Sequence, residues 1–462
     1  MTKKGYRKLN HIHMVGIGGT GMNGIAEVLL NLGYKVSGSD LQENEATQRL
    51  ARLGADIAIG HKAENLKAAD VVVISSAVRE DNVEVQRARA RLIPVIPRAE
   101  MLAELMRMKY GIAVAGSHGK TTTTSMTALV LEAGGFDPTI IVGGRLNTIG
   151  ANAKLGAGDF IVAEADESDR SFLFLSPFIA VLTNIDEEHL DQYQSLDDIK
   201  KTFVNFANKV PFYCPVILCL DDPNLQGIIP AIERKVITYG YSAQSDIYAR
   251  DFEFEGFRSS SVLFHKGKKL GELRLQVPGA HNILNAMAAI AVGLDLEMPA
   301  GTILEALAGY TGTGRRFEHR KTVRDIMIIE DYAHHPTEIR ATLEAARRGW
   351  TRRVVAVFQP HRYTRLSKLM TQFATSFNQA DVLIVTEIYP AGEDPIPGAT
   401  GEALFDEIRQ FGHRHACFEP DLKRIPALLE KITAPNDMVI ILGAGNVNRI
   451  IPEIIDRLEA RT

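Results

Sequence analysis

The chain contains little cysteine, with three residues in 462 at Cys214, Cys219 and Cys417. The number is odd and no two of them have C-x-x-C spacing, which argues against a disulfide framework and against a zinc site. Cysteines of this kind are expected to be small buried side chains or free thiols. The chemistry of this protein is therefore expected to depend on other residue types.

The chain also lacks long apolar stretches. No uninterrupted apolar run approaches the roughly 20 residues that a membrane-spanning helix needs. The first ten residues include four basic ones, but the apolar segment that follows is broken by Gly16, Gly18, Gly19 and Gly21, so it is a poor match to a signal peptide. We therefore predict a cytoplasmic protein with no membrane partner.

Charge of one sign is not in excess. The formal net charge is -4 and charged residues make up 23% of the chain, so neither a basic nucleic-acid surface nor an acidic disordered tail is indicated. No internal repeat or low-complexity segment is present. A length of 462 residues is too great for one typical core and predicts about three domains.

Among the features that are present, residues 112–126 carry the clearest chemical pattern. An apolar run from Ile112 to Ala115 enters a turn at Gly116 to Gly119, and Lys120 then opens a helix-compatible segment that reaches Ala133. Glycines allow a tight turn whose N–H groups face one anion, and the helix adds its positive end. The order of strand, loop and helix predicts a phosphate-binding loop.

This loop is shorter than the common pattern. In G-x-x-x-x-G-K-[ST] the first glycine would stand at Val114, so the match is to G-x-x-G-K-T. In a nucleotide site Lys120 would reach the terminal phosphates and the Thr121 hydroxyl would ligand Mg²⁺. An ordinary glycine turn before a helix is the alternative.

The first hundred residues alternate between short apolar strands and helices, which is typical of a doubly wound dinucleotide fold. Gly16, Gly18 and Gly21 fit G-x-G-x-x-G, and Asp40 lies near the distance at which a carboxylate meets a ribose. A dehydrogenase is one interpretation, although no hydride-transfer residue is evident. The diphosphate of a UDP-sugar, or a turn with no ligand, are the others. The predicted strands are His11 to Val15, Lys35 to Ser39, Asp56 to Ile59 and Val71 to Ser75.

A dense acidic segment follows the predicted strand Phe160 to Glu164. Glu164-Ala-Asp-Glu-Ser-Asp169 lies where open α/β sheets bind their ligands, and its carboxylates repel one another unless a cation joins them. The next strand, Ile179 to Thr183, leads to His189 at the same edge. We predict a metal shared with ATP, with a solvated acidic loop as the alternative.

The second half of the chain supplies further polar loops. Residues 246–277 alternate in short runs suited to an antiparallel patch. Asn282 and Asn285 share one face of a helix, where two exposed amides could read a base edge, although Asn282 could be an N-cap instead. The segment 311–317 holds paired arginines beside glycines. From Met327 the strand and helix pattern restarts, with loops rich in His, Arg and Tyr at 331–338 and 359–365.

Taken together, these motifs resemble the Mur ligases of peptidoglycan synthesis, and most closely the members that add alanine. The resemblance spans nearly the whole chain. It rests on seven motifs in order: Gly16-Ile-Gly-Gly-Thr-Gly-Met22, Gly116-Ser-His-Gly-Lys-Thr-Thr122, Glu164-Ala-Asp-Glu-Ser-Asp169, His281-Asn-Ile-Leu-Asn285, Gly314-Arg-Arg-Phe317, Asp331-Tyr-Ala-His-His-Pro-Thr-Glu338 and Phe358-Gln-Pro-His-Arg362.

The resemblance implies an α/β protein of three domains. Residues 1–107 would form a Rossmann-like domain that binds a UDP-sugar. Residues 108–313 would form a central ATP-binding domain with a parallel sheet of the P-loop ATPase type. Residues 314–462 would form a Rossmann-like C-terminal domain that binds the amino acid.

The resemblance also implies roles for individual residues. ATP would be bound by Gly116, Ser117, His118, Gly119, Lys120, Thr121, Thr122, Asn282, Asn285, Arg316 and Asp331. Mg²⁺ would be held by Thr121 and Glu164, and His189 would support a second metal. The other substrates would contact Gly18, Gly19, Thr20, Gly21, Asp40, Ser75, His118, Tyr332, His334, Arg362 and Arg365. The catalytic groups would be Lys120, His189, Arg316 and His335.

The activity implied by the resemblance is that of an ATP-dependent carbon–nitrogen ligase in cell-wall biogenesis. It would join L-alanine to the carboxylate of UDP-N-acetylmuramate through an acyl phosphate, with ATP and Mg²⁺ as cofactors and no nucleic-acid partner. A monomer or a homodimer is expected. The alternatives are a tripeptide-recycling ligase of the same fold, an NAD-dependent oxidoreductase and a nucleotide-sensing protein.

Overall fold

The computed structural model describes residues 9–75, 77–146, 151–189 and 192–461. The internal contacts divide the chain into two units. The first comprises residues through Tyr248 together with Phe264–Gly271 and Leu284–Leu307, and the second comprises Ala249–Leu263, Glu272–Ile283 and the residues from Ala308 onward. The described residues form three sheets.

The first unit begins with a five-stranded parallel sheet in the order β3-β2-β1-β4-β5. All five residues of β1 are buried, because this central strand has a neighbour on each side and helices cover both faces of such sheets. The strand order reverses between β1 and β4, where α/β sheets bind ligands. The elements are β1 (His11–Val15), α1 (Thr20–Asn31), β2 (Lys35–Asp40), α2 (Glu45–Arg52), β3 (Asp56–Ile59), β4 (Val71–Ile74), α3 (Val83–Ala90), β5 (Val95–Pro97) and α4 (Arg98–Met106).

The second sheet has the order β15-β14-β13-β12-β11-β10-β6-β9-β7-β8. Strand β6 lies between β9 and β10 and is parallel to both, so the loops that follow these three strands share one edge of the sheet. The elements are β6 (Tyr110–Ala115), α5 (Lys120–Ala133), β7 (Thr139–Leu146), β8 (Ala151–Lys154), β9 (Phe160–Glu164), β10 (Ile179–Leu182), α6 (Leu196–Ala207), β11 (Pro215–Cys219), α7 (Pro223–Ile228), β12 (Lys235–Gly240), β13 (Ile247–Glu255), β14 (Arg258–His265), β15 (Lys268–Leu275), α8 (Ala280–Asp295) and α9 (Ala300–Ala308).

The third sheet belongs to the second unit and has the order β16-β17-β21-β18-β19-β20, with only β16 antiparallel. A separate apolar cluster packs on each face of this sheet. The elements are β16 (Glu318–Val323), β17 (Ile326–Asp331), α10 (Pro336–Gly349), β18 (Arg353–Phe358), α11 (Tyr363–Ala374), β19 (Val382–Val385), α12 (Gly401–Gln410), β20 (Ala416–Phe418), α13 (Ile425–Ile432), β21 (Asp437–Leu442) and α14 (Ile451–Ala460).

The α/β class with sheets dominated by parallel strands is confirmed, and most predicted strands begin or end within one or two residues of their observed bounds. The antiparallel patch predicted for residues 246–277 is also present, as β13 to β15. Within the described part of the chain, no helix combines the length and apolar character needed to span a bilayer.

Candidate active site

The phosphate loop between β6 and α5 is shaped by two glycines. Gly116 has φ +140°, and a Cβ there would lie 2.0 Å from the Thr183 hydroxyl oxygen. Gly119 has φ +79° and is the N-cap of α5, with a Cβ position 2.6 Å from Asn285 Oδ1. No larger residue fits either position, so the backbone itself lines this loop.

Lys120 curls back over the loop. Its Nζ donates to the carbonyl oxygens of Gly116 at 2.6 Å and Ser117 at 3.2 Å, and it contacts the Glu167 carboxylate at 2.8 and 3.0 Å. Burial alone would lower the pKa of Lys120, but Glu167 and Asp166 outweigh it and raise the pKa. Lys120 is therefore a firmly protonated cation at the loop.

The loop and helix are suited to a polyphosphate. The 14-residue helix α5 has no side chain capping its N-terminus and no acidic residue in its first turn, so its first amides and its positive end face the loop. Thr121 and Thr122 lie in that first turn. The predicted ATP-binding loop therefore fits the triphosphate of ATP on geometry and on charge.

Two carboxylates and an imidazole lie close together beside Lys120 in an arrangement suited to a metal ion. One ligand atom from each of Glu167, Glu188 and His189 lies within 4.8 Å of the others, and His189 Nε2 is 3.7 Å from both carboxylates. Burial raises the pKa of Glu167 to about 7, with a further contribution from Asp166. A buried carboxylate group of this kind fits a divalent cation, because Mg²⁺ prefers oxygen ligands.

The structure does not join Glu164 to this group of three. Glu164 Oε1 accepts a hydrogen bond from the Gly143 amide at 2.9 Å, and Glu164 belongs to neither of the metal-ligating clusters of the described residues. Of the three predicted metal ligands, only His189 belongs to this group. Their ligation of metal ions stays a prediction.

His118 is held by the loop after β10. Its Nε2 lies 3.1 Å from Asp186 Oδ2, and its amide donates to Asn184 Oδ1 at 2.8 Å. Ser117 Oγ accepts from the Asp186 amide at 2.8 Å. The loops after β6 and β10 therefore form one hydrogen-bonded edge, as their parallel pairing predicts.

The two asparagines of α8 are buried, contrary to expectation. Both were expected to be exposed, but each is only 8% exposed. Asn282 is the third residue of α8 and donates to the Pro278 carbonyl at 2.7 Å, so it is not an N-cap. Asn285 Oδ1 accepts from the Thr123 hydroxyl at 3.2 Å and thereby lies against the phosphate loop. Close packing of α8 explains the difference, since local spacing does not report burial.

The first glycine turn is anchored by the end of β2. The Gly16 and Ile17 amides donate to the Ser39 carbonyl at 2.8 and 3.1 Å, and the Gly18 amide donates to Asp40 Oδ2 at 2.8 Å. Asp40 therefore faces the turn and holds its backbone. Its contact with a ribose stays a prediction.

Other predicted substrate residues surround this turn. Ser75 Oγ lies 3.2 Å from the Cβ position of Gly16, and Gly19 is the N-cap of α1 without a side-chain cap. The side chain of Thr20 lies outside the described residues. A Cβ on Gly21 would lie 2.8 Å from Arg98 Nη1, which brings an unpredicted cation to the turn.

In the second unit the paired arginines have separate acidic partners. Arg315 Nε donates to Glu330 at 2.7 Å, whereas Arg316 Nη1 donates to Glu338 at 3.2 Å. Asp331 accepts from the Phe317 and Ala333 amides at 2.8 and 2.7 Å. Burial raises the pKa of Asp331 to about 6, and the nearby Arg316 opposes that rise.

The loops after β17 and β18 place several predicted residues together. The His334 ring contacts Tyr332 at 5.2 Å and His361 at 5.8 Å between centroids, and His361 Nδ1 lies 3.2 Å from Arg365 Nη1. Burial lowers the pKa of His361 to about 3, assisted by His334 and Arg365. Arg362 is the N-cap of α11 and lies 3.9 Å from Glu393. This cluster combines arginine cations with ring side chains, a composition suited to carboxylates.

His335 is 1% exposed and caps α10, accepting from the Thr337 amide through Nδ1 at 3.3 Å. A histidine at this position therefore has a structural role as the N-cap of α10. Its predicted role as a base stays a prediction.

Several residues of the site were not predicted. Glu167 lies in the acidic segment that was recognised, and His361 lies in a loop noted for its His and Arg content, so composition could have indicated both. Glu188 stands next to His189. Glu338 is the last residue of the motif that begins at Asp331. Arg98 carries no local pattern, because only the folded chain brings it to the glycine turn.

Comparison with known proteins agrees with this geometry. Sequence models of the Mur ligase family match as the catalytic domain at residues 11–110, the middle domain at 114–293 and the glutamate ligase domain at 315–445. A UDP-N-acetylmuramate–L-alanine ligase from Geobacter sp. (strain M21) is 58% identical over 456 residues, covering 98% of this chain and 99% of the relative.

Solved structures share this fold. The crystal structure of a UDP-N-acetylmuramate–alanine ligase from Thermotoga maritima matches with a TM-score of 0.83 and 31% identity, covering 98% of this chain and 100% of that one. A murein peptide ligase from Psychrobacter arcticus shares the fold, with a TM-score of 0.72, 24% identity and coverage of 97% and 99%. With three family matches in order along its length, the chain belongs to the Mur ligase family.

Proposed function

We propose that this chain is the ATP-dependent ligase that joins L-alanine to the carboxylate of UDP-N-acetylmuramate in peptidoglycan precursor synthesis. The observation that carries this conclusion is the 58% identity to a ligase of that name over 98% of the chain. The phosphate loop with Lys120 and the acidic group beside it supply the site that such chemistry needs. Membership of a ligase family also removes the basis for the oxidoreductase and sensor alternatives.

The proposed reaction has two steps. A carboxylate oxygen of UDP-N-acetylmuramate attacks the γ-phosphorus of ATP, the bond to the β-phosphate oxygen breaks, and ADP leaves. The amine of L-alanine then attacks the acyl carbonyl carbon, the bond to the phosphate oxygen breaks, and inorganic phosphate leaves. The proton of the amine passes to a base, for which His335 or water is our candidate.

The residues of the first unit neutralise charge in the first step. The attacking carboxylate and the triphosphate are both anions, so their approach needs fixed positive groups. Lys120 and the amides of Gly116 to Gly119 are placed for that role. We propose that Asn285, which lies beside the loop, helps to hold the nucleotide.

We propose that Mg²⁺ is held by Thr121 and Glu164, and that a second divalent metal ion is held by Glu167, Glu188 and His189. When bound, Mg²⁺ would supply positive charge against the phosphate oxygens. Lys120 donates to the Glu167 carboxylate. It would keep that carboxylate oriented both when the metal is bound and when it is absent.

The second unit is proposed to bind the amino acid and part of the nucleotide. Arg316 and Asp331 are assigned to ATP, together with Asn282. Cationic and ring side chains are assigned to the carboxylates of the substrates. These are Tyr332, His334, Arg362 and Arg365.

The organisation around this activity is also proposed. We assign residues 1–107 to UDP-sugar binding, 108–313 to ATP binding and 314–462 to amino-acid binding. The protein is placed in the cytoplasm as a monomer or a homodimer. Limited proteolysis followed by mass spectrometry tests the domain bounds, and light scattering tests the oligomeric state.

Phosphate release tests the function. The purified chain is incubated with ATP, Mg²⁺ and UDP-N-acetylmuramate, with L-alanine, with the recycled tripeptide or with no acceptor. Release is expected only with L-alanine and is expected to stop when Mg²⁺ is chelated. Release that depends on the tripeptide would instead assign the recycling function of murein peptide ligases, which the shared fold keeps as the second candidate.

A further inference from the structure

Arg98 lies between the first glycine turn and the acidic loop that follows β9, both in the first unit. It is the first residue of α4, and its side chain is 22% exposed. No sequence motif points to this residue. Its two contacts, however, belong to the two loops that are assigned to different substrates.

The first contact is with the glycine turn. A Cβ on Gly21 would lie 2.8 Å from Arg98 Nη1, 3.0 Å from Cζ and 3.1 Å from Cδ. The guanidinium therefore lies directly against the Gly21 backbone, in the first turn of α1. Any side chain at position 21 would displace it, so the third glycine of G-x-G-x-x-G here makes room for a cation.

The second contact is with the acidic loop. Arg98 Nη2 donates to Asp166 Oδ2 at 3.1 Å, and the other oxygen of Asp166 accepts from the Ser168 amide at 3.1 Å. The Asp166 side chain is 40% exposed. An ion pair with such an accessible partner is weak, at about 1 kcal/mol or less, so another anion can replace the carboxylate.

We propose that Arg98 binds the diphosphate of the UDP-sugar and that Asp166 competes with that diphosphate for the guanidinium. This inference rests on the proposed function, which places a UDP-sugar at the first glycine turn. The planar fork of arginine matches phosphate oxygens with two charge-assisted hydrogen bonds. A diphosphate carries more negative charge than one carboxylate, so the exchange favours the nucleotide.

Isothermal titration calorimetry with UDP, UDP-N-acetylglucosamine and UDP-N-acetylmuramate tests the proposal without any need for turnover. Arg98→Met keeps the stem against Gly21 and removes the charge, so it is expected to weaken the affinity for all three ligands by about tenfold or more. Asp166→Asn removes the competing charge and is expected to strengthen the affinity for all three severalfold.

Controls separate binding from folding. Arg79→Met changes an arginine of the same sheet domain that is 86% exposed, and it is expected to leave all three affinities unchanged. Arg98→Lys retains the charge without the fork and is expected to recover part of the affinity lost in Arg98→Met. Thermal unfolding confirms that each variant is folded before titration.

Three other results of these titrations would overturn the diphosphate assignment. Unchanged affinities in Arg98→Met would overturn the proposal, and so would weaker binding in both Arg98→Met and Asp166→Asn, since that result describes a structural ion pair. A loss confined to UDP-N-acetylmuramate would assign Arg98 to the sugar's carboxylate and overturn the diphosphate assignment. If the wild-type protein bound none of the three, the proposed function itself would fail.

Discussion

At the residue scale, Lys120 is the group on which we expect the nucleotide chemistry to depend most. Its Nζ is held over the loop by two carbonyl oxygens and by Glu167. Because this ammonium group is already in place when the nucleotide arrives, little reorganisation is needed to meet a phosphate.

We expect Lys120→Ala to reduce ADP formation by at least about 100-fold, since a fixed charge beside the phosphates is lost. Binding of UDP-N-acetylmuramate, measured by calorimetry, should stay unchanged. Lys154→Ala is the matched control, because Lys154 belongs to the same unit and pairs with Glu132 and Asp137. Turnover near the wild-type rate in Lys120→Ala would remove this residue from its role.

Glu84, in helix α3, is a buried charge that contacts the sheet carrying the first glycine turn. It is fully buried and accepts from Ser39 at 2.6 Å and Asn65 at 2.6 Å, with His13 Nε2 at 3.2 Å. Burial would raise the pKa of Glu84, but these hydrogen bonds outweigh it and lower the pKa. Ser39 also anchors the glycine turn through its carbonyl. By holding Ser39, the Glu84 carboxylate therefore helps to fix the position of that turn.

Glu84→Gln is expected to lower the free energy of unfolding by about 2–4 kcal/mol at pH 7, because buried donors lose a charged acceptor. Glu80→Gln is the control, since the Glu80 side chain is 74% exposed. The stabilisation from a carboxylate of lowered pKa is complete above the ordinary pKa of glutamate and is lost as pH falls through the folded-state pKa. The difference measured by chemical denaturation should therefore shrink in acid.

At the scale of elements, α5 has a glycine of positive φ beyond each end. Gly119 has φ +79° and Gly135 has φ +77°. Only Gly119 is enclosed, since its Cβ position lies 2.6 Å from Asn285 Oδ1, whereas the Cβ position of Gly135 has no atom within 4 Å. Substitutions at these two glycines can therefore distinguish the effect of backbone strain from the effect of crowding beside the phosphate loop.

Gly119→Ala and Gly135→Ala are each expected to cost about 1 kcal/mol in backbone strain. Only Gly119→Ala should also weaken ATP binding, because the new methyl group displaces Asn285 and alters the loop. Titration of a nonhydrolysable ATP analogue, with thermal unfolding alongside, measures both effects. Equal losses of ATP affinity in the two variants would show that strain alone is responsible.

At the scale of the whole molecule, buried histidines make stability depend on pH. Burial lowers the pKa of His361 to about 3 and that of His281 to about 4. Both would bind a proton more readily in the unfolded chain, where histidine has a pKa near 6.5. The unfolded state therefore gains protons first as pH falls.

These two histidines are expected to lower the free energy of unfolding as pH falls from about 6.5 towards 4, because their unfolded forms bind more protons in that range. Glu167 and Asp331, whose pKa values burial raises to about 7 and about 6, act in the opposite direction. His361→Gln should flatten this dependence, as measured by urea denaturation at several pH values. His415→Gln changes an exposed histidine and should leave the slope as it is. An unaltered slope in His361→Gln would contradict the assignment.

Local sequence patterns were sufficient to predict the helices and strands around the two glycine turns. The run from Ile112 through Gly119 to Ala133 predicted β6, the loop and α5, because glycine conformation and apolar spacing act over a few residues. The same holds for β1, the first turn and α1. The order of seven short motifs was enough to indicate the family, since each motif is read along the chain.

The sequence by itself therefore determined the fold class, the phosphate loop with Lys120, and the first glycine turn. Only the tertiary structure decided which distant groups meet. Glu167 joins Lys120 from 47 positions away, and Asp166 joins Arg98 from 68 positions away. It also decided that Asn282 and Asn285 are buried. The physical reason is that such contacts follow from strand order and from competition among side chains for the same space and charge, which spacing along one segment does not encode.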